Sequence, residues 1–415
     1  MSSSVSTTVR PAWWARPGLD VVGGRLRVAG RDAEQLARTH RTPLYVYDLQ
    51  RVREQAIALQ DALTGAGLEP RVRLALKAQR EPALLNFLRH RAPFIGVDVC
   101  SPGEIEWALE HGWMPSEVSY TGTNLSERDL DAILGSGVHL NVDLLTQLQR
   151  VGRRGPGRAI GIRINPRIGA SFGGEGSNLY TGERPTKFGI FPEQLNATVD
   201  LAREYGMEID TVHVHVGDGY LTEQLPVFEE TMRRVAAATR RLKEQSCPIV
   251  EVNTGGGLGV PQRPGDEPLD LDRWATILAE QLGPLDVRVG VEPGDFLVKE
   301  CAVLLAEVVT VEVRDGTTFA GIDVGWNAMC EHFVYGALLD VVLCRAGDAP
   351  PAGLVTVSGH INEGNDLFAE DQPLPAVAEG DILAAINVGS YNASQWSNHC
   401  LRPPAAAVAF EDRIA

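Results

Sequence analysis

Lys77, His215, Glu292 and the run Gly255-Gly-Gly257 stand out in this chain as residues whose types and spacing could do chemistry. A lysine amine that is partly desolvated and neutral forms a Schiff base with a carbonyl. Three consecutive glycines leave backbone N–H groups bare, an anion nest suited to a phosphate. An imidazole can stack on an aromatic ring. A carboxylate on the opposite wall can hold a pyridine nitrogen protonated, which makes the ring an electron sink. Together these groups describe a site for pyridoxal 5′-phosphate. Each alone has a plainer reading. Lys77 would be a surface lysine just past a core strand, His213 and His215 core histidines, the glycines a tight turn, and Glu292 a helix cap or an arginine's partner.

The elements that must position these groups follow from the hydrophobic pattern. Short apolar runs with the length of buried strands fall at 72–76, 94–97, 118–121, 139–142, 160–164, 209–215, 249–253 and 287–291. Helical patterns fall at about 49–64, 81–91, 102–111, 126–136, 143–152, 192–205, 222–244 and 269–282. Such alternation predicts parallel strands with right-handed crossovers. Eight units in about 220 residues favour a closed (β/α)8 barrel over an open sheet. In such a barrel the working groups sit where strands end. Here the strand ends carry Lys77, Asp98, Thr121-Gly-Thr-Asn124, Asn141, Arg163 with Asn165, His213-Val-His215, the glycine run and Glu292. That shared rim is what raises the functional reading above the plain one. After Glu292-Pro-Gly-Asp295 the character changes to β-branched runs broken by turns, at 301–313, 318–323, 353–358 and 381–388, which predicts a second, mostly antiparallel β domain. Residues 23–29 form a candidate hairpin arm and 42–48 a further strand; 1–20 look loosely structured, with Trp13 and Trp14 as anchors.

At 415 residues and 44% apolar, the chain can bury a large core in two domains. A formal net charge of −16 argues against nucleic acid or an anionic membrane as a main partner. The six cysteines form no C-x-x-C pair or zinc-like spacing, so free thiols in a reducing compartment are expected. No apolar signal core and no membrane-length apolar run is present, and a cytoplasmic location is expected.

Several motifs in this order carry a family resemblance: Leu76-Lys77-Ala78, Asp98-Val-Cys-Ser-Pro-Gly-Glu104, Tyr120-Thr-Gly-Thr-Asn124 and Arg163-Ile-Asn-Pro166. They continue as Lys187-Phe-Gly189, His213-Val-His-Val-Gly217, Gly255-Gly-Gly-Leu-Gly259, Glu292-Pro-Gly294, Asn362-Glu-Gly-Asn-Asp366 and Tyr391. From about Thr42 to Pro404 the chain resembles the alanine-racemase-fold pyridoxal-phosphate decarboxylases, the diaminopimelate decarboxylases most closely. The resemblance implies a Schiff base of the cofactor on Lys77, His215 stacked on the ring and Glu292 at the pyridine nitrogen. It implies phosphate contacts from Gly255, Gly256, Gly257 and Tyr391, and a cofactor site that also includes Asp98, Arg163, Gly217, Gly294 and Asp295. It implies a barrel over about 49–296, with 1–48 joining a β domain at 297–415, and a head-to-tail homodimer with sites between the barrel of one subunit and the β domain of the other.

The departures from the family bear on the substrate, a small-molecule amino acid. Where the family's glutamate-proline-glycine box continues with arginine, this chain has Asp295. A second family arginine falls at Glu331, before Tyr335. In diaminopimelate decarboxylases those arginines hold the far carboxylate. A carboxylate tail would here meet like charge, so the expected substrate has a cationic or neutral far end, met by Glu331, Tyr335, Glu363 and Asp295. Asp218 replaces a serine phosphate contact, and Asn362 replaces the proton-donating cysteine beside the retained Glu363. Asn362 cannot usefully protonate a carbanion. The donor is then Lys77, His215, Tyr391 or water, or the carbanion meets another fate such as racemisation. Three alternatives stay open. A racemase on the same cofactor would need an opposite-face tyrosine. A metal-dependent hydrolase would use His213, His215, Asp98 and Glu292 as ligands but leaves the lysine and glycines unexplained. The third is a cofactor-binding regulator that has lost turnover.

Overall fold

The computed structural model describes residues 12–171, 185–337 and 339–414. Eight parallel strands close into a barrel in chain order, the eighth (Arg288–Val291) pairing back onto the first (Pro70–Ala75). Strand two is Gly96–Val99, three Val118–Thr121, four His139–Val142, five Ala159–Arg163, six Glu208–His213 and seven Glu251–Asn253. Both faces of these strands are covered, which is why they read as short apolar runs rather than as alternating ones. Helices follow with local start signals. Ser101 caps Pro102–Glu110, Ser126 and Asp129 form a capping box on Glu127–Ser136, and Asp270 caps Leu271–Leu282.

The second sheet is built on one long strand, Ala302–Arg314, which follows strand eight after two short helical turns at Asp295–Val298 and Lys299–Cys301. It pairs antiparallel with Leu44–Asp48, Ile382–Ala385 and Thr317–Ile322. Two of the remaining pairings, Thr317–Ile322 with Gly353–Ser358 and Leu44–Asp48 with Ala406–Phe410, are parallel. The sheet is thus mixed but mostly antiparallel. The Asp48 side chain ends Leu44–Asp48 and caps the helix Leu49–Gly65 that opens the barrel, with Arg413 Nε 2.7 Å from its Oδ2. The same residue therefore closes the sheet strand and starts the barrel.

Three expectations change. Residues 12–20 are not loose: Trp14 is buried, Trp13 donates to Asp340 (2.8 Å), and Arg16 donates to the Glu300 carbonyl (2.6 Å); residues 1–11 lie outside the described residues. The strands Val341–Leu343, Leu367–Leu374 and Ala406–Phe410 were not legible, being very short, charged or alanine-rich, all poor β signals that pairing overrides. The short helix Cys330–Tyr335 was also missed, and it carries Glu331 and Tyr335. None of the six cysteines is disulfide-bonded. Among the described residues, no helix is long and apolar enough to cross a membrane.

Candidate active site

Where strand one ends, the chain turns through Leu76–Ala78 and sets Lys77 at the barrel mouth. The Ala75 N–H donates to the Pro293 carbonyl (3.2 Å), tying the lysine's strand to the residue after Glu292. Lys77 lines a cavity of about 460 Å³ together with Asp98, His215 and Glu292 from strands two, six and eight or the turns after them. Gly217, Gly256, Gly257 and Gly294 line it as well. The C-terminal part adds Glu331, Tyr335 and Tyr391, and Asp295 joins them from the start of a short helix, Asp295–Val298. Four expected site residues do not line it. Arg163 is buried on strand five, with its guanidinium 4.3 Å over the Phe188 ring and Nε 3.8 Å from Asp143. Gly255 points its N–H at Asn253 Oδ1 (2.9 Å). Asn362 and Glu363 are exposed in the loop between Gly353–Ser358 and Leu367–Leu374, where Glu363 meets His399 Nε2 at 3.1 Å.

Glu292 is the electrostatic centre. Its Oε2 lies 2.9 Å from His213 Nε2, and its Oε1 accepts from Asn253 Nδ2 at 2.5 Å. Burial alone would raise its pKa, but His213, Arg73 and Asn253 outweigh burial and hold the carboxyl at about 2. Asp98 nearby behaves oppositely. Burial, and then the charge of Glu292, push it well above the usual carboxylate range. The same barrel mouth thus shifts two neighbouring carboxyls in opposite directions. Asn253 was passed over in the sequence as a strand end, yet the His213–Glu292–Asn253 arrangement needs all three.

The glycine turn threads between strand ends with no room to spare. A Cβ on Gly256 would sit 2.4 Å from the Glu292 carbonyl oxygen, and one on Gly257 2.4 Å from that of Gly217. Gly257 also has a φ of +94°, which disfavours any side chain. The Gly256 N–H donates to His215 Nδ1 (3.3 Å), which leaves Nε2 as the protonated nitrogen and fixes the ring plane. Burial, with Arg163 and Lys77 adding to it, lowers the His215 pKa well below its usual value, so the ring is neutral at physiological pH. Tyr391 holds a φ of +52°, unusual for an aromatic residue, and its N–H donates to the Ala78 carbonyl (2.8 Å). The loop that carries Tyr391 is thereby clamped onto the lysine's turn.

On the sheet side, Lys299 was missed altogether; its place one helical turn after Asp295 was the available signal. Lys299 is buried. It donates to Glu331 Oε1 in a short ion pair and lies 3.9 Å from Asp295 Oδ1. Asn392 donates to the other Glu331 oxygen (3.3 Å), and Ser390 donates to Asp295 Oδ1 (2.5 Å). Burial pushes the Glu331 carboxyl up to about 7 against the pull of Lys299.

The residues present fit pyridoxal phosphate. Asp98 Oδ1 is buried without a hydrogen-bond partner among the described residues, and the glycines form a cradle that side chains would fill. Asp218 and Asp295 bring negative charge to the cavity, while Arg263, on the loop after the glycine turn, and Lys77 bring positive charge. Fold and cavity together define a class: barrel enzymes that work through pyridoxal phosphate. Comparison with known proteins narrows it. The pyridoxal-binding domain of the pyridoxal-dependent decarboxylases matches residues 49–299. The diaminopimelate decarboxylase of Methanothermobacter thermautotrophicus is 34% identical over 94% of this chain and 92% of that protein. That of Streptomyces coelicolor is 31% identical over 95% and 89%. The solved diaminopimelate decarboxylase from Helicobacter pylori complexed with L-lysine superposes with a TM-score of 0.83 at 27% identity, covering 92% of this chain and 94% of that one. The chain belongs to the pyridoxal-dependent decarboxylase family. It is an amino-acid decarboxylase that uses pyridoxal phosphate.

Proposed function

We propose that this enzyme decarboxylates an α-amino acid whose far end is cationic or neutral, in preference to meso-diaminopimelate. The observation that carries this reading is the cavity wall of Asp295 and Glu331, with no arginine in either place. A carboxylate brought against that wall meets like charge away from bulk water, a cost of several kcal/mol. The test is turnover of diaminopimelate beside lysine, ornithine and arginine. At least one of the cationic substrates is expected to exceed diaminopimelate by roughly 100-fold in kcat/KM. A clear preference for diaminopimelate would overturn the reading.

Pyridoxal phosphate, when bound, supplies the sink for the electrons released as carbon dioxide departs. The rest falls to the chain. Lys77 would hold the cofactor covalently, and its amine is placed to move a proton at Cα. Glu292, ionised, holds a proton on the pyridine nitrogen. His215, neutral and fixed by Gly256, would stack on the ring. The amides of Gly217, Gly257 and Gly294, with the Tyr391 hydroxyl, would hold the phosphate, while the Gly256 amide is kept by His215. Arg163 acts from behind, over Phe188, rather than at the cavity surface. A head-to-tail homodimer in which a second copy supplies Asn362 and Glu363 to the cavity is part of this reading, supported by the exposure of Tyr335, which presents 52% of its surface at the cavity.

Because Asn362 has no proton to give, Cα is protonated by Lys77, His215, Tyr391 or water. Turnover in deuterated water, with product configuration read by NMR, is expected to label both faces. Clean single-face labelling that survives His215→Asn, Tyr391→Phe and, in amine-rescued protein, Lys77→Ala would count against this donor set.

A further inference from the structure

The acidic wall of the cavity contains a buried cation that does not reach the cavity surface. Glu331 has both oxygens engaged, one by Lys299 and one by Asn392, and its own N–H donates to Asn392 Oδ1 (3.1 Å). Asp295 is different. Its Oδ1 takes the Ser390 hydroxyl and lies near Lys299, while its Oδ2 accepts no hydrogen bond from the described residues, and its side chain is the more exposed of the two carboxylates (18% against 8%). Two carboxylates against one ammonium leave the wall a single formal negative charge. Lys299 can be shared: Glu331 holds it directly, and Asp295 Oδ1 stands 3.9 Å away.

We propose that Asp295 contacts the far end of the substrate, a single ammonium or guanidinium group, and that Lys299 and Glu331 are positioning residues that together keep Asp295 from being neutralised. This deepens the substrate reading above and rests on it. Glu331 acts by holding Lys299 away from Asp295, not by touching the substrate. If Glu331 loses its charge, Lys299 has only Asp295 as a counter-ion, and the wall becomes neutral toward an incoming cation. If Lys299 is then removed as well, Asp295 regains its charge. A contact made by Glu331 itself would give the opposite ordering, because the second substitution could not restore what the first removed.

The experiment measures binding of product-like amines to the cofactor-loaded enzyme by calorimetry at pH 8, above the Glu331 value of about 7. Pentane-1,5-diamine carries the distal cation and pentylamine lacks it, so the ratio of their Kd values isolates the tail. Guanidinium-tailed agmatine distinguishes the two cation types. Wild type is expected to favour the diamine over pentylamine by roughly 30-fold, a charge-assisted hydrogen bond's worth. Asp295→Asn should bring that ratio to near unity. Glu331→Gln should lower it about 10-fold, and Glu331→Gln/Lys299→Met should return it to within about 3-fold of wild type, since the pair is removed as a unit. The double variant also covers the case in which either single change alone unfolds the wall. Three results would overturn the inference: no diamine preference in wild type, an Asp295→Asn ratio like that of wild type, or a double variant no better than Glu331→Gln. The first would also count against the cationic-tail reading. The other two, with wild-type preference intact, would leave that reading standing and remove only the assignment of roles within the wall.

Discussion

Lys77→Ala is expected to lower kcat by roughly 10⁴-fold and to abolish the visible absorption band of the cofactor-loaded protein. The reason is geometric. Lys77 is the amine that the first strand delivers into a cavity shared with the glycine cradle and Glu292. In the mechanism proposed above, one side chain has two tasks, holding the cofactor covalently and moving a proton at Cα, so no neighbour replaces both. Lys77 sits at the exposed barrel mouth while Leu76 and Ala78 on either side are buried, so the truncation should leave thermal unfolding unchanged. Added methylamine should restore a small part of the rate, because an external amine can substitute for the missing one. Borohydride reduction of the wild-type protein should trap the cofactor on Lys77. A variant that keeps the visible band would show that the attachment site is elsewhere.

Glu292→Gln is the second large effect, expected at about 10²- to 10³-fold in kcat, comparable to removing one preorganised electrostatic group. With its pKa held at about 2, Glu292 remains a carboxylate throughout the working pH range and can keep a proton on the pyridine nitrogen. Glutamine keeps the shape and a hydrogen bond to Asn253 or His213 but not the charge, so cofactor binding should weaken far less than kcat. Stability provides a second readout. The folded-state pKa lies below the ordinary 4.5, so the pairing contributes stability that is fully present above that value and lost as pH falls toward 2. Acid unfolding of Glu292→Gln should lack that part of the pH dependence. A loss of rate under 5-fold would mean the carboxylate does not serve the ring nitrogen.

Much of this was legible without coordinates. All eight barrel strands appear in the pattern because each is a short apolar run between helical repeats, and the ends of those runs carried Lys77, Asp98, His215 and Glu292. The strand boundaries slipped by a residue or two, as at 94–97 against the observed Gly96–Val99. The second sheet was read less fully. Its alanine-rich last strand and its short second edge, Val341–Leu343, have no pattern of their own and exist because neighbouring strands supply their hydrogen bonds. In the site, the glycine run was legible as an anion nest, but its three amides are not alike. Gly255 is turned toward Asn253 and Gly256 toward His215.

The sequence by itself determined the barrel, the cofactor chemistry and the oddity of acids where arginines are expected, because these depend on local periodicity and on residue type at strand ends. Only the tertiary structure decided what those acids pair with. Lys299, 32 positions from Glu331 in the chain, is buried against it, and Gly389 and Tyr391 bring the loop after Ile382–Ala385 onto the turns at Lys299 and Ala78. A buried charge must find its counter-charge wherever the fold brings one, and that choice is not written in any local stretch of the chain.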